Sequence, residues 1–545
     1  MKKTMAILLV IILTFSIAAC GGGEPNEGTT PTSSAPTSSA PTTGTTAPST
    51  PPAPTAPPSV GATLKEHLEI MSNNFIPAVI NAFNPSGTTA PCQWIYLLIT
   101  DPLILWNEVT GLPEPLAAKS WETADNQTFR FFLQEDAFFH TGEKMTAEDV
   151  KFTIEISREF GGTAAFDRWR AVTEVNIIDQ YTVDIVLERQ NAGFLPNLSM
   201  PSAGIYSKKA YEERPDDWFW IGTGPFMLTD FSTNEYVTLE RYDNYWGGPA
   251  PTKSMTFRFV PEETVRTVMM LNGDFDFSLG IQANDFELFR NDPNFIVVDR
   301  LLISPLSVGF NMTDPICGDY NFRMAVCYAL DGYDIGVVAE GVDGTLRMTD
   351  SNVWGADTGY RRTDFPRYER DLDKAKEYLE MSVWNGETIE ITAGAPPFIR
   401  GAEMIQEQLL QIGIPTIINQ TDQPGLFAHV AFGNNKSQLH FFCPEMTFDP
   451  FVVVRNNFVP SPTNRSSFTH PRIEELLLEA EASTDTAVHE ANFHEIQQIV
   501  FDNMPWYPVI WRLFGDVGVA GLGGMVQSTT STRQNFRGLY VQLDG

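Results

Sequence analysis

From Thr29 to Ser59 every residue is Thr, Ser, Pro or Ala except Gly44, with no charge and no large apolar side chain. Such a stretch cannot bury enough apolar surface to offset the entropy of ordering, so none of it can join a core. Any folded body is therefore confined to the residues after about Gly61. Proline-rich chain extends by about 3.1 Å per residue, which gives this segment a reach on the order of 100 Å. It reads as a tether, of a Thr/Ser/Pro type that suits a Gram-positive-like surface and offers hydroxyls for glycosylation.

Ahead of the tether, Lys2 and Lys3 precede an apolar run from Ala6 to Leu13 that is too short to span a bilayer. The run reads as a secretion signal. It ends in Ile17-Ala18-Ala19-Cys20, which resembles the lipobox of bacterial lipoproteins. That resemblance implies removal of residues 1–19, diacylation of Cys20 and anchoring at the outer face of the plasma membrane, with residues 20–61 as the lipidated tether.

The body carries enough apolar sequence for a sizeable core, and the whole chain has a formal charge of −32. So large a negative excess argues against a phosphate backbone as partner, so nucleic acid is excluded. Phe129 to Leu133 and Tyr181 to Leu187 place apolar residues at every second position, which predicts strands with one buried face. Thr146-Ala147-Glu148-Asp149 has the spacing of a capping box ahead of a helix from Val150 to Arg158. Further helices are predicted around Leu372, Ala375 and Leu379, and around Ile405, Leu409 and Ile412 before Gly413 and Pro415. Two more are expected around Ile473, Leu476 and Ala480, and from Val488 through Phe493, Ile496 and Val500 to Pro505. The class is mixed α/β.

Catalytic patterns are nearly absent. In His489-Glu490-Ala491-Asn492-Phe493-His494 the histidines are five apart, whereas two ligands on one helical face need a spacing of four, so both are expected to face solvent. No Gly-x-Ser-x-Gly elbow, phosphate-binding glycine loop or zinc-type Cys/His spacing occurs. Gly222-Thr223-Gly224-Pro225 reads as a turn or a close backbone approach, and His140 as a residue satisfying a local hydrogen bond. No enzyme activity, cofactor or metal is expected.

One ordered set of segments resembles the family 5 extracellular solute-binding proteins, the peptide and nickel-type receptors of ABC importers. It comprises Leu116 to Glu122, Phe129 to Leu133, Phe138 to Val150, Gly222 to Phe226, Tyr236 to Gly248, Gly309 to Asn311 and Asn321 to Asp331. It continues through Asp373 to Leu379, Ala402 to Ile414 and Pro505 to Val509. The resemblance implies an α/β, two-lobed periplasmic-binding-protein-like fold with an extended lobe I and mixed sheets flanked by helices. Lobe I would take residues 62–305, lobe II 306–513, and the tail 514–545 would return to lobe I. The first crossover would fall near Ile303 to Phe310 and the return near Trp511 to Val517.

The same resemblance implies a site between the lobes. Peptide-binding relatives hold the ligand's α-amine with an aspartate in a Trp-Cys-Ala-Asp-type segment, and the corresponding stretch here is Phe441-Phe442-Cys443-Pro444-Glu445-Met446-Thr447-Phe448-Asp449-Pro450. Phe442 stands for the tryptophan and Glu445 for the aspartate, although counting back from Asp449-Pro450 puts Met446 there. Phe442, Phe448, Asp449 and Trp94 complete the candidate ligand contacts. Cys92, Cys317, Cys327 and Cys443 could form disulfides in an exported protein, with Cys317 and Cys443 the preferred pair and Cys327 a buried thiol. The expected partners are a peptide or another small solute, an ABC permease and the lipid bilayer, with the receptor a monomer. An oligosaccharide receptor using the aromatic faces, and a cell-wall hydrolase, remain as alternatives.

Overall fold

The computed structural model describes residues 61–545 apart from 73–80, 84–89, 108–111, 282–284, 341–345, 351–353, 356–357, 527–533, 544–545 and the single positions 162, 395, 445, 448 and 462. Cys20 and the tether lie outside the described residues. No described helix is long and apolar enough to cross a membrane.

The alternating segments pair as their patterns predict. Thr128–Leu133 and Thr182–Leu187 run antiparallel inside a four-stranded sheet, with Ala118–Thr123 and Val172–Asp179 on its outer sides. Phe131 lies opposite Val183 and Phe129 opposite Ile185, so the buried alternates share one face. On the other face Arg130 grips Asp184 through two bonds of 2.7 and 2.8 Å. The helix Ala147–Glu159 packs beside this sheet and begins as the capping-box spacing predicts: the Asp149 carboxylate accepts from the Thr146 backbone N–H at 2.9 Å.

A strand of fourteen residues, Trp506–Val519, organises the rest. Its first half pairs with Leu306–Phe310 and Leu346–Met348, and its second half with Phe295–Leu301 and Phe277–Ile281. The first group continues through Leu439–Phe442 and Ile389–Ala393 to Thr416–Gln420. The second continues through His67–Ser72 and Ser254–Phe259 to Tyr236–Arg241 and Phe226–Ser232. One strand thus belongs to the sheets of both lobes. The pairing changes from one group of strands to the other at residues 302–305 and again at Arg512–Leu513, and Leu302 N–H bonds the Arg512 carbonyl at 2.9 Å where the two crossings meet.

Each lobe has its own apolar clusters. Those of lobe I include the C-terminal Phe536, Leu539 and Val541, which bring the tail back to it. In lobe II, one cluster buries Ala375, Leu379, Ile405 and Leu409, and the other Ile473, Leu476, Phe493, Ile496 and Val500, all on helices the periodicity predicts. The longest of these, Thr486–Asn503, stops at Met504, which adopts a left-handed conformation before Pro505.

The family-like turn at Gly222–Gly224 is a close backbone approach. A Cβ at Gly222 would stand 2.2 Å from the Ile99 carbonyl oxygen, so only glycine fits. His140 closes the turn. Its Nδ1 accepts from Gly222 N–H at 3.3 Å, which leaves Nε2 as the donor to the Gly224 carbonyl at 3.0 Å, and burial lowers its pKa. Thr223 donates to Asp101 at 3.0 Å, Trp246 Nε1 donates to the same carboxylate at 2.9 Å, and Arg537 Nη2 reaches it at 2.5 Å.

Among the described residues the four cysteines are free thiols, so the preferred Cys317–Cys443 bridge is not formed. Cys317 is enclosed in the lobe II core, where its carbonyl accepts from Arg323, and Cys443 lies beside Arg512 instead. Cys327 is a buried thiol, pushed well above its ordinary pKa by burial.

The Asp101–Arg537 pair ties the tail to the N-terminal part of lobe I with the carboxylate fully buried. Removing one partner of such a pair leaves an uncompensated charge. Arg537→Met should therefore cost about 3–5 kcal/mol, measured as a lower urea midpoint at unchanged slope. A loss below about 1 kcal/mol would show that the tail is held by its apolar contacts alone.

Candidate functional site

The segment expected to hold the ligand runs from the end of strand Leu439–Phe442 to the helix Pro450–Asn457. Asp449 caps that helix, its carboxylate accepting from Phe451 N–H at 2.9 Å, with Pro450 at the first helical position. Thr358 Oγ1 donates to the Thr447 carbonyl at 2.8 Å and holds the middle of the loop. At its start, Arg512 Nη1 lies 4.0 Å from the Cys443 sulfur, while Arg512 Nε contacts Glu340 at 2.8 Å. Arg512 sits at the crossing between lobes, so the loop is attached through one side chain to the hinge strand.

The expected contact residues are divided by the structure. Glu445 and Phe448 lie outside the described residues. Phe442 and Asp449 stand at opposite ends of the loop, both almost fully buried: Phe442 packs edge-on to Trp506, and Asp449 serves as the cap. Trp94 is in a different core altogether, on helix Ala90–Ile99 of lobe I and edge-on to Phe536 at 5.8 Å. His489 corrects its expectation: it is buried, with Nε2 2.9 Å from the Ser483 carbonyl and its ring edge-on to Phe451. Its side of the helix packs against the helix before it, so the failed metal spacing did not imply a solvent-facing side chain.

Sequence reasoning missed the residues where the lobes touch. Trp106, on lobe I strand Ile104–Asn107, packs against the lobe II aromatic cluster, as does Ala192. Ala192 N–H donates to the Glu481 carbonyl at 3.2 Å, and Asn126 Nδ2 donates to the Ser483 carbonyl at 2.9 Å. Arg455 Nη2 donates to Asn191 Oδ1 at 3.3 Å and to the Glu481 carboxylate, which is 1% exposed and has Arg189 of lobe I at 3.6 Å. Turn residues such as Asp125-Asn126 and Asn191-Ala192-Gly193 mark loops in the sequence. Nothing in them marks a partner hundreds of residues away.

The lobes share one strand and meet across a seam that reaches Phe451, two residues after the Cys443–Asp449 loop. The profile of the bacterial extracellular solute-binding proteins, family 5 (middle region), matches residues 113–462. The chain belongs to this family. Among solved structures, the family-5 protein is similar to the binding protein DppA of Helicobacter pylori in complex with peptide STSA, with a TM-score of 0.75 and 21% identity over 87% of this chain and 98% of that one. It is similar also to the oligopeptide-binding protein AppA of Bacillus subtilis in complex with a nonapeptide, with a TM-score of 0.74 and 18% identity over 88% of this chain and 100% of that one. The nickel-binding periplasmic protein of Escherichia coli is 23% identical over 491 residues, covering 84% of this chain and 92% of the relative. Family membership places the work of this family-5 protein outside the cytoplasm.

One buried group on the same lobe II strand makes the fold sensitive to acid. His440 shares a row with Gly309 and Trp506, and a Cβ on Gly309 would stand 2.1 Å from its Nε2. Neither ring nitrogen has a hydrogen-bond partner among the described residues, and burial, with Arg465 adding to it, pushes its pKa down to about 3. The unfolded histidine binds a proton below about pH 6.5 and the folded one does not, so stability is full above that pH and falls as pH drops toward 3. At pH 5 the loss from this group should be about 2 kcal/mol. Urea titrations of wild type and His440→Leu at pH 7.5 and 5 measure it: the variant should lose less on acidification, and equal losses would contradict the assignment.

Proposed function

We propose that this protein is the receptor of an ABC importer, capturing peptides between its lobes and presenting them to a membrane permease, with lipid on Cys20 holding it at the outer face of the plasma membrane. What carries the reading is the family match together with the double crossing at 302–305 and 512–513, which lets two separately packed lobes approach through few backbone torsions. Two solved structures of the same fold hold peptides. Capture requires no chemistry on the ligand. Binding that closes the lobes needs only a difference in affinity between open and closed forms, and about 5.5 kcal/mol suffices to move the population from 1:99 to 99:1.

Within this reading Glu445 is the anchor for the ligand's α-amine and Phe448 a further ligand contact, whereas the enclosed Phe442 stays with its core. A charge-assisted bond of this kind contributes about 1.5–3 kcal/mol.

Thermal unfolding in the presence of peptide, oligosaccharide and nickel-chelate pools should show a rise with peptides only, since a ligand at a hundred times its dissociation constant adds about 2.7 kcal/mol. Stabilisation by sugars alone would move the assignment to an oligosaccharide receptor, and turnover of a wall polymer would replace it with a hydrolase. Calorimetric titration of Glu445→Gln should show a loss of roughly 2–4 kcal/mol for a free peptide and little further loss for its N-acetylated form. Equal affinity of wild type for both peptides would reject amine anchoring.

The anchor is tested separately. Cys20→Ala should move the protein from the membrane fraction to the medium or stall its processing, because two acyl chains hold stably where one is marginal. A freely soluble wild type would contradict lipidation.

A further inference from the structure

The seam between the lobes contains more than contact. Three links converge on the end of helix Pro471–Ala482 and the residues just after it, namely the Ala192 backbone to the Glu481 carbonyl, the Asn126 amide to the Ser483 carbonyl and Arg189 toward the Glu481 carboxylate, and a fourth runs beside them from Arg455 to Asn191. Glu481 is almost completely enclosed, and its charge is met by Arg455 of its own lobe and faced by Arg189 of the other. Such enclosure suits a carboxylate whose neutralisation is completed from both sides.

The lobe I side of the seam is shaped for this meeting. Asn126 holds a left-handed conformation at φ 54°, which asparagine tolerates, and its carbonyl accepts from Asn191 N–H at 2.8 Å, so the two seam turns brace each other. Gly193 follows, with its N–H bonded to Asn191 Oδ1 at 3.0 Å. A Cβ placed on Gly193 would lie 3.0 Å from the Phe451 Cβ of lobe II, so the absence of a side chain lets the lobes meet closely there. The backbone of Gly193, at φ −78°, would accept any residue. The glycine answers first to the opposite lobe, the Asn191 Oδ1 of its own turn standing next at 3.3 Å.

We propose that the turns Asn126 and Arg189–Gly193 of lobe I, with Phe451, Arg455 and Glu481–Ser483 of lobe II, form a latch that holds the lobes together and sets how long a ligand stays bound. The proposal rests on the receptor reading for its ligand but not for the closure itself. Because the linking contacts lie across the seam, the latch favours the closed form with or without ligand and slows escape. Ligand enters through the open form, so weakening the latch does not slow association.

Two variants test it on the full chain. Gly193→Leu inserts a wedge against Phe451 of the opposite lobe, and Asn126→Gly deletes one link while keeping the left-handed turn. Small-angle scattering of the ligand-free proteins should show a larger radius of gyration for Gly193→Leu than for wild type. With a peptide that stabilises wild type, stopped-flow dissociation should quicken about tenfold or more for Gly193→Leu and a few-fold for Asn126→Gly, with association no slower than in wild type. Identical scattering and unchanged dissociation in both variants would overturn the latch. Should Gly193→Leu fail to fold, the dissociation rate of Asn126→Gly decides alone, an unchanged rate overturning the latch. If no peptide binds even wild type, the receptor reading fails, and the scattering comparison still decides whether the seam holds the lobes closed.

Discussion

A single strand serving two sheets is the constraint on which this structure depends. In Trp506–Val519 the ladder partners change between Arg512 and Leu513, and the other crossing, at 302–305, lies beside that point. Lobes joined by two adjacent extended segments can rotate about them without breaking either ladder, since only a few torsions lie between the last pair of one sheet and the first of the other. The candidate loop is attached to this axis: Arg512 contacts both Glu340 and Cys443, so the start of the loop follows the crossing strand.

Charge is distributed to match. The chain is strongly acidic, yet among the described residues three of its enclosed ion pairs stand at junctions: Asp101 with Arg537 where the tail rejoins lobe I, Arg512 with Glu340 at the crossing, and Arg455 with Glu481 at the seam. A buried pair adds little net stability compared with apolar packing, but breaking one is costly, so it fixes which segments meet. In contrast, the ion pairs on the outer faces, such as Lys119 with Glu135, are solvent-exposed and contribute little.

Local structure was legible in the sequence where local physics decides it. Alternation at Phe129–Leu133, the capping box at Thr146–Asp149 and the periodic helices of lobe II all form as read, because each rests on contacts within one or two elements. The tight approach at Gly222–Gly224 was legible too, since only glycine permits it. What escaped were identities of partners. Phe442 and Trp94 offered aromatic surface in the sequence, and the fold spends both on separate cores. His489 looked solvent-facing because the motif spacing failed, yet its neighbours across two helices enclose it. Asn126 and Ser483 are 357 positions apart, and no local pattern announces such a pairing.

The central claim is that the cleft between these lobes holds peptides. Native mass spectrometry of the full protein, purified without added ligand and then fragmented, reads the occupant directly. The account predicts one-to-one adducts whose fragments form amino-acid ladders. Adducts with hexose spacing, or a metal or porphyrin mass in place of peptide ladders, would contradict it.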